Sequence, residues 1–221
     1  MQACLRAICV FVVKRRVSVL VFFVAVFLAC GSGLARLVVD SNWLDDFSDE
    51  MPLKQVTLRV DEVMGGVTNL ILLFDGGAPE SIQEPALLRE IDRLQQWSNA
   101  RTDLVRKSYS IVDILKDLNQ TFHADDPAYY RLPETRELVA QYLLLYEAAG
   151  GSESDEYVSS DYQRASLELR LKLAPTSKTA EIVRDLQAEL EARPLEASTM
   201  SLTGIGALWV KLLDYIVSSQ I

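Results

Sequence analysis

The pattern of apolar and polar positions divides the chain into an apolar N-terminal segment and a longer series of short helices and strands. Residues 17–35 contain no charged side chain. As a helix this run would be about 28 Å long, close to the ~30 Å hydrocarbon thickness of a bilayer. Carboxylates follow it and four cations precede it, namely Arg6, Lys14, Arg15 and Arg16. The positive-inside rule therefore predicts a cytoplasmic segment 1–16, a transmembrane helix 17–36 and export of the rest.

Two alternatives for the apolar segment remain open. The small residues Ala29, Cys30, Gly31 and Ser32 after a basic and apolar stretch are compatible with a cleaved signal peptide. The apolar run of such peptides is usually only ~7–15 residues long, so the length here favours an uncleaved anchor. Lipid modification of Cys30 is a variant of the first alternative, for which Phe27 is an unfavourable residue three places before the cysteine.

Proline and glycine bound the first predicted helix and strand of the exported part. Pro52 opens a helix that runs through Met64, where Gly65-Gly66 can supply a left-handed C-cap. The continuous apolar run 69–74 ends at a glycine-rich turn. Its length and flanking residues predict a strand that is buried on both faces.

Two capping-box patterns predict the next two helices. Ser81 and Glu84 precede a helix with the apolar stripe Leu87, Leu88, Ile91, Leu94 and Trp97. A strand is predicted over 102–109. Ser110 and Asp113 then start a short helix with the apolar stripe Ile111, Ile114, Leu115 and Leu118.

The second half of the exported part repeats the order of helix and strand. After a predicted loop over 121–132, Pro133 opens a helix with the apolar face Leu138, Val139, Tyr142, Leu145 and Tyr146. Strict alternation over 166–173 predicts a strand with one solvent-exposed face and one buried face. The buried face is formed by Leu167, Leu169, Leu171 and Leu173. A helix with the buried stripe Ile182, Val183, Leu186 and Leu190 follows, and a last strand is predicted over 198–202.

The order of these elements predicts the fold class. It is β-α-β, an inserted helical pair, and again β-α-β, which is the split βαβ or ferredoxin-like order. We therefore predict an α+β fold in which a transmembrane helix is followed by one ferredoxin-like domain over residues 37–204.

The last segment, 205–221, contains only Lys211 and Asp214 as charges. It predicts a helix that buries Leu208, Trp209, Leu212, Leu213, Ile216 and Val217. Because no C-cap glycine, proline or polar tail ends it, we expect a truncated helix and a fragment of a longer protein. Trp209 and Tyr215 are residue types that favour a membrane interface, so the helix is expected to lead to a second membrane segment. The alternative is a terminal helix packed on the domain.

The charge of the exported part narrows the classes of partner. Residues 1–36 hold five basic and no acidic side chains, so the rest holds 17 basic against 31 acidic ones, a net charge of −14. Such a domain repels nucleic-acid phosphates, and no nucleic-acid partner is expected. The three cysteines (Cys4, Cys9 and Cys30) all lie in or before the apolar segment. No disulfide framework is therefore expected after it.

The candidates for chemistry are weak, and each has a plainer structural explanation. His123 with Asp125 and Asp126 could begin a metal site, but zinc needs three or four ligands and no other histidine is present. The carboxylates Asp45, Asp46, Asp49 and Glu50 could bind a cation, yet a solvated linker next to the membrane explains them better. The pairs Gly65-Gly66 and Gly76-Gly77 lack a phosphate-loop lysine. The pair Tyr129-Tyr130 could line a hydrophobic path or simply pack. We predict no catalytic, cofactor-binding or metal-binding residue, no cofactor and no enzyme activity.

Several stretches after residue 40 occur in an order that is found in a known family. They are Asp40-Ser41-Asn42-Trp43-Leu44, Pro52-Leu53, Met64-Gly65-Gly66, Phe74-Asp75-Gly76-Gly77, Tyr109-Ser110-Ile111-Val112-Asp113-Ile114-Leu115-Lys116, Tyr129-Tyr130-Arg131-Leu132-Pro133-Glu134, Gln141-Tyr142-Leu143-Leu144-Leu145-Tyr146-Glu147, Leu202-Thr203-Gly204 and Ser218-Ser219-Gln220-Ile221. In order and spacing the chain resembles RND superfamily exporters of the MMPL type, the hydrophobe and amphiphile efflux branch related to Patched-like and hopanoid transporters.

The resemblance implies a role and a location. The chain would supply the first membrane helix and one periplasmic porter domain of a proton-driven exporter of lipids or other hydrophobic compounds. Its location would be the bacterial inner membrane. Its partners would be the lipid bilayer, the hydrophobic or lipid substrate, the remaining transporter halves and membrane helices outside this chain, and possible further copies in a homo-oligomer. The second function kept open is a membrane-anchored periplasmic binding or adaptor module.

Overall fold

The structure, a computed structural model, describes most of the chain, over residues 14–34, 44, 47–151 and 156–219. Two compact units are present, residues 1–40 and residues 41–221.

The first unit contains one described helix, α1, Arg16–Leu34. Its large apolar side chains are exposed, and they are Val17, Leu20, Val21, Phe22, Phe23, Val24, Val26, Phe27 and Leu28. Within the part of the chain that the structure describes, no helix combines the length and the hydropathy required to cross a membrane. The predicted helix is thus present, and the predicted membrane span over 17–36 stays a prediction.

The second unit is a mixed α+β domain. Its elements in chain order are α2 Pro52–Met64, β1 Thr68–Asp75, α3 Pro85–Asn99, β2 Val105–Ser110, α4 Ile111–Phe122, α5 Arg136–Ala148, β3 Arg164–Leu171, α6 Thr176–Ala192, β4 Thr199–Thr203 and α7 Ile205–Ser219. Two short 3₁₀ helices, Ser81–Gln83 and Pro127–Tyr129, precede α3 and α5.

The four strands form one antiparallel sheet in the order β2-β3-β1-β4. In the register, Leu169 of β3 lies opposite Leu70 of β1, and Leu72 of β1 lies opposite Leu202 of β4. Each β-α-β unit is therefore split, because β3 lies between β1 and β2, and β1 lies between β3 and β4. The connection from β2 to β3 contains the two predicted helices, α4 and α5.

The core lies on one face of this sheet. Alternate residues of β1 and β3 are fully buried there, because successive strand side chains point to opposite faces; they are Leu70, Leu72, Phe74, Leu167, Leu169 and Leu171. Helix α3 covers them with Leu87, Leu88, Ile91 and Leu94. The prediction of one buried face for the third strand is confirmed at Leu167, Leu169 and Leu171, whereas Leu173 lies beyond the strand and is only half-buried. The prediction that the first strand is buried on both faces is wrong, since Ile71 and Leu73 on its other face are only half-buried.

Several predicted boundaries are confirmed. Helix α2 runs from Pro52 to Met64 and ends at Gly65, whose φ of 74° is the expected left-handed C-cap. The second capping box is present, because Ser110 Oγ accepts from the Val112 N–H at 3.2 Å and Asp113 Oδ2 accepts from the Ser110 N–H at 3.0 Å.

Two predicted helix starts are wrong. Ser81 and Glu84 form no capping box, because residues 81–83 make a 3₁₀ turn and Glu84 is extended before Pro85 at the first helical position. The residue before a proline disfavours the helical region, which explains the shift. Helix α5 begins after Thr135 rather than at Pro133, because the Thr135 side chain caps the Leu138 N–H. Leu145, predicted to be buried, is half-exposed.

The burial predicted for α7 is also wrong where the structure describes it. Leu208, Trp209 and Leu212 are exposed, because the helix packs through Gly206 and Ala207 instead. The side chains of Leu213, Ile216 and Val217 lie outside the described residues.

Candidate functional surface

Helix α2 turns its apolar stripe away from the domain. Leu53, Val56, Val63 and Met64 are exposed, and none of its residues is buried. The half-buried residues are mainly on the flank of the stripe, at Lys54, Thr57, Val60 and Asp61. An amphipathic helix normally buries such a stripe against the core of its own domain. The exposed stripe of α2 is therefore available to a partner.

Hydrogen bonds of Asp61 and the close approach of Gly66 to β3 hold the C-terminal end of α2 in place. Asp61 Oδ1 accepts from the Val67 N–H at 3.1 Å and from the Leu173 N–H at 2.9 Å. A Cβ on Gly66 would lie 2.5 Å from the carbonyl oxygen of Leu171, so only glycine permits this approach to β3. The helix is thus attached by its C-terminal turn to the end of the sheet.

Helix α7 also presents an apolar face to the surroundings. The exposed large side chains are Ile205, Leu208, Trp209, Leu212 and Tyr215. The opposite side of the helix packs against β1 and α6, where Gly206 approaches Thr68 and Thr179. The first turn is fixed by Asn69, whose Oδ1 accepts from the Ile205 N–H at 3.1 Å.

The attachment points of α2 and α7 lie at the same end of the sheet. Thr68 begins β1 shortly after α2 ends, and Thr203 of β4 pairs with Ile71 of β1 just before α7 begins. We call this the α2 end of the sheet; it also holds the start of β2 and the end of β3. The two helices with exposed apolar faces, α2 and α7, are therefore attached to the domain at the same end of the sheet.

The predicted metal candidates do not form a site. His123 Nδ1 lies 2.7 Å from the Asn119 carbonyl oxygen, and its ring stacks on Tyr129 at 3.8 Å between centroids. Asp126 caps the 3₁₀ turn by accepting from the Ala128 N–H. Asp125 bonds to Gln120 through its backbone, since its carbonyl accepts from the Gln120 side chain and its N–H donates to the Gln120 carbonyl. Among the described residues, no group of three histidine, cysteine or carboxylate side chains could hold a metal ion.

The remaining candidates have structural roles or lie outside the described residues. Asp49 binds Lys54 at 2.6 Å, and the hydrogen bond and charge of Lys54 lower the pKa of that carboxyl. Glu50 is exposed, whereas Asp45 and Asp46 lie outside the described residues. The glycine pairs form turns, at the C-cap of α2 and after β1, as expected.

A buried polar network, which the sequence analysis missed, holds the tyrosine pair in place. The Asn119 amide donates to the carbonyl oxygens of Tyr129 and Arg131, at 2.9 and 3.0 Å, and its Oδ1 accepts from the Tyr142 hydroxyl at 3.0 Å. Burial raises the pKa of Tyr142. Asn119 interrupts the apolar stripe of α4, and that interruption was the available signal. The network fixes Tyr129 and leaves Tyr130 half-exposed.

A second missed cluster joins α3 to the start of α4. Gln95 donates to Asp113 and accepts from the Ser110 hydroxyl at 2.6 Å. Nearby, Lys116 pairs with Asp92 at 2.6 Å. All these groups have hydrogen-bond or ion-pair partners within the cluster, which is typical of a structural role.

Comparisons with known proteins do not assign the chain to a family, since no family model and no curated protein matches it.

Proposed function

We propose that the chain is the N-terminal part of a proton-driven RND exporter of the MMPL type. It supplies the first transmembrane helix, over 17–36, and one periplasmic porter domain, over 37–204, in the bacterial inner membrane. The N-terminus is cytoplasmic, and residues 205–221 begin a helix that leads to a second membrane segment. The compounds exported are lipids or other hydrophobic molecules.

The single observation that carries the proposal is the strand order β2-β3-β1-β4 with two split β-α-β units. This is the ferredoxin-like arrangement with a helical pair inserted between its halves. It is the arrangement that the resemblance implies for a porter domain. A fold alone does not establish a function, so the exposed surfaces must agree with it.

The exposed apolar helices at both termini agree with a membrane location. Helix α1 begins at Arg16, directly after Lys14 and Arg15, and exposes nine large apolar side chains. Helix α7 exposes Trp209 and Tyr215, residue types that concentrate at membrane interfaces. Apolar surfaces of this size are stable when lipid or protein covers them.

A second candidate function is a membrane-anchored periplasmic binding or adaptor module. The observation that favours it is the second unit's own core, in which Leu70, Leu88, Ile91 and Leu169 are fully buried. Neither candidate assigns a catalytic residue to the chain.

The test begins with the reading frame downstream of the codon for Ile221 and continues with transport. We expect the frame to continue through several apolar segments of ~20 residues. Cells that express the whole frame should accumulate less of the lipophilic dye Nile red than cells without it. A protonophore should abolish the difference, because the proposed exporter depends on the proton gradient.

The matched variants are Leu169→Asp, which disrupts the buried face of β3, and Glu168→Ala, on its open face. Dye export should be lost in the first and kept in the second. A stop codon directly after Ile221, or dye accumulation that is equal with and without the frame, would instead support the anchored module.

A further inference from the structure

The α2 end of the sheet carries cations that lack partners. Arg59, Arg106, Lys107 and Lys172 are all exposed there, and none forms an ion pair within the described residues. Lys107 lies directly beside the C-cap of α2, because its side chain approaches Gly65. Within the described residues, Glu62 and Asp103 are carboxylates at this end that likewise form no ion pair.

The opposite end of the sheet differs in its charges. There Arg164 pairs with Asp75 at 2.9 Å, and Arg136 pairs with both Glu80 and Glu84 at 3.0 Å. Residues 37–221 carry a net charge of −14. Even so, basic side chains that form no ion pair within the described residues are found at the end of the sheet that carries the exposed apolar stripe of α2. Apolar and cationic groups side by side are the combination that binds an anionic membrane surface.

We propose that the apolar stripe of α2 lies in the headgroup region of an anionic bilayer, with the four cations on the lipid phosphates. This inference rests on the proposed function, because in that function the chain is anchored in a membrane. That tethering raises the effective concentration of the lipid surface around α2. Trp209, Lys211 and Tyr215 on α7 leave the sheet at the same end and suit the same surface.

The experiment measures the depth of a spin label on α2. The full chain, with Cys4, Cys9 and Cys30 changed to serine, is reconstituted in vesicles of phosphatidylcholine with 30% phosphatidylglycerol (about one anionic lipid in three). Val63→Cys is labelled on the exposed stripe of α2. We expect greater accessibility to oxygen than to a water-soluble nickel complex, as for a label within the bilayer interface.

Ala78→Cys is the matched control. It is exposed in the turn after β1, and the eight residues of that strand separate it from the α2 end by roughly 25 Å. Its label should be accessible to the nickel complex in the same vesicles. A charge arm combines Lys107→Glu and Lys172→Glu, or replaces phosphatidylglycerol with phosphatidylcholine. Either change should lower the ratio of inserted to non-inserted label, and the double variant should lower it by roughly 5-fold for each cation removed.

Two outcomes would overturn the inference while leaving the proposed function intact. In the first, the Val63 label is as accessible to the nickel complex as the Ala78 label, although the chain floats with the vesicles. In the second, unlabelled Val63→Cys forms disulfides between copies under a mild oxidant, and a labelled sample is shielded equally with and without phosphatidylglycerol, which identifies a second copy as the occupant. A chain that does not float with the vesicles would contradict the proposed anchor itself and the inference with it.

Discussion

Helices α2 and α3 begin in the same way, but the apolar stripe of α2 is exposed and that of α3 is buried. Each has proline at its first helical position, after an extended residue whose side chain makes no cap, Met51 for α2 and Glu84 for α3. Each carries an apolar stripe. In α3 the stripe residues Leu88 and Ile91 are 0% exposed, whereas Val63 of α2 is 72% exposed.

The difference lies in position along the chain. Helix α3 connects β1 to β2 and must cross the face of the sheet, so its stripe covers the core. Helix α2 precedes the first strand and is attached to the end of the sheet at its last turn, by Asp61 and the Gly65-Gly66 pair. Amphipathicity therefore shows that a helix has a face to cover, while connectivity determines whether the domain itself covers it.

The largest expected effect comes from a charge on each stripe. Ile91→Asp places a carboxylate in the core without a partner and should lower the free energy of unfolding by several kcal/mol. Val56→Asp should change it by less than about 0.5 kcal/mol, because the side chain is already exposed. Chemical denaturation of the full chain in detergent measures both. Similar losses in the two variants would show that α2 also packs against the domain.

Much of the fold could be predicted because local signals and connectivity agree in the central elements. The alternation that places Leu167 and Leu169 on one face, and the capping box at Ser110, depend on neighbouring residues alone. The boundaries at Ser81 and Pro133 could not be predicted from their patterns. In each case a second local feature, Pro85 or the Thr135 cap, competes with the first and determines where the helix begins.

Less of the candidate surface could be predicted. The apolar residues of α7 were expected to be buried, but the small residues Gly206 and Ala207 give the closer packing and place Trp209 outside. The role of Asn119 depends on residues 10 to 23 positions away, and local patterns carry no such information.

A smaller effect should follow when the attachment of α2 is removed. Asp61→Ala leaves the backbone N–H groups of Val67 and Leu173 without their acceptor and should cost about 1–3 kcal/mol. Because α2 has no buried residue, the loss should be local. Hydrogen exchange should accelerate in α2 and stay unchanged in α3. Glu62→Ala, at the neighbouring exposed position, serves as the control, and equally fast exchange in both variants would contradict the assigned role.

The smallest effect concerns pH at the other end of β1. Hydrogen bonds from Gln163, the Gly77 N–H and Arg164 lower the pKa of Asp75 to about 2, from its ordinary value of 3.8. A depressed pKa in the folded state contributes stability above pH 4 that is lost as the pH falls towards 2. Asp75→Asn should therefore flatten the pH dependence of the unfolding midpoint between pH 4 and 2. An unchanged slope would exclude this carboxyl as a contributor.

The central claim is that α1 anchors the chain and that the α+β domain lies outside the cytoplasm. The most direct test is labelling of Ala78→Cys, with Cys4, Cys9 and Cys30 changed to serine, by a membrane-impermeant maleimide on intact spheroplasts. Ala78 is exposed, so its thiol is accessible in the folded domain. The account predicts complete labelling before lysis and no further labelling after it. Labelling that occurs only after lysis would place the domain in the cytoplasm and contradict the account.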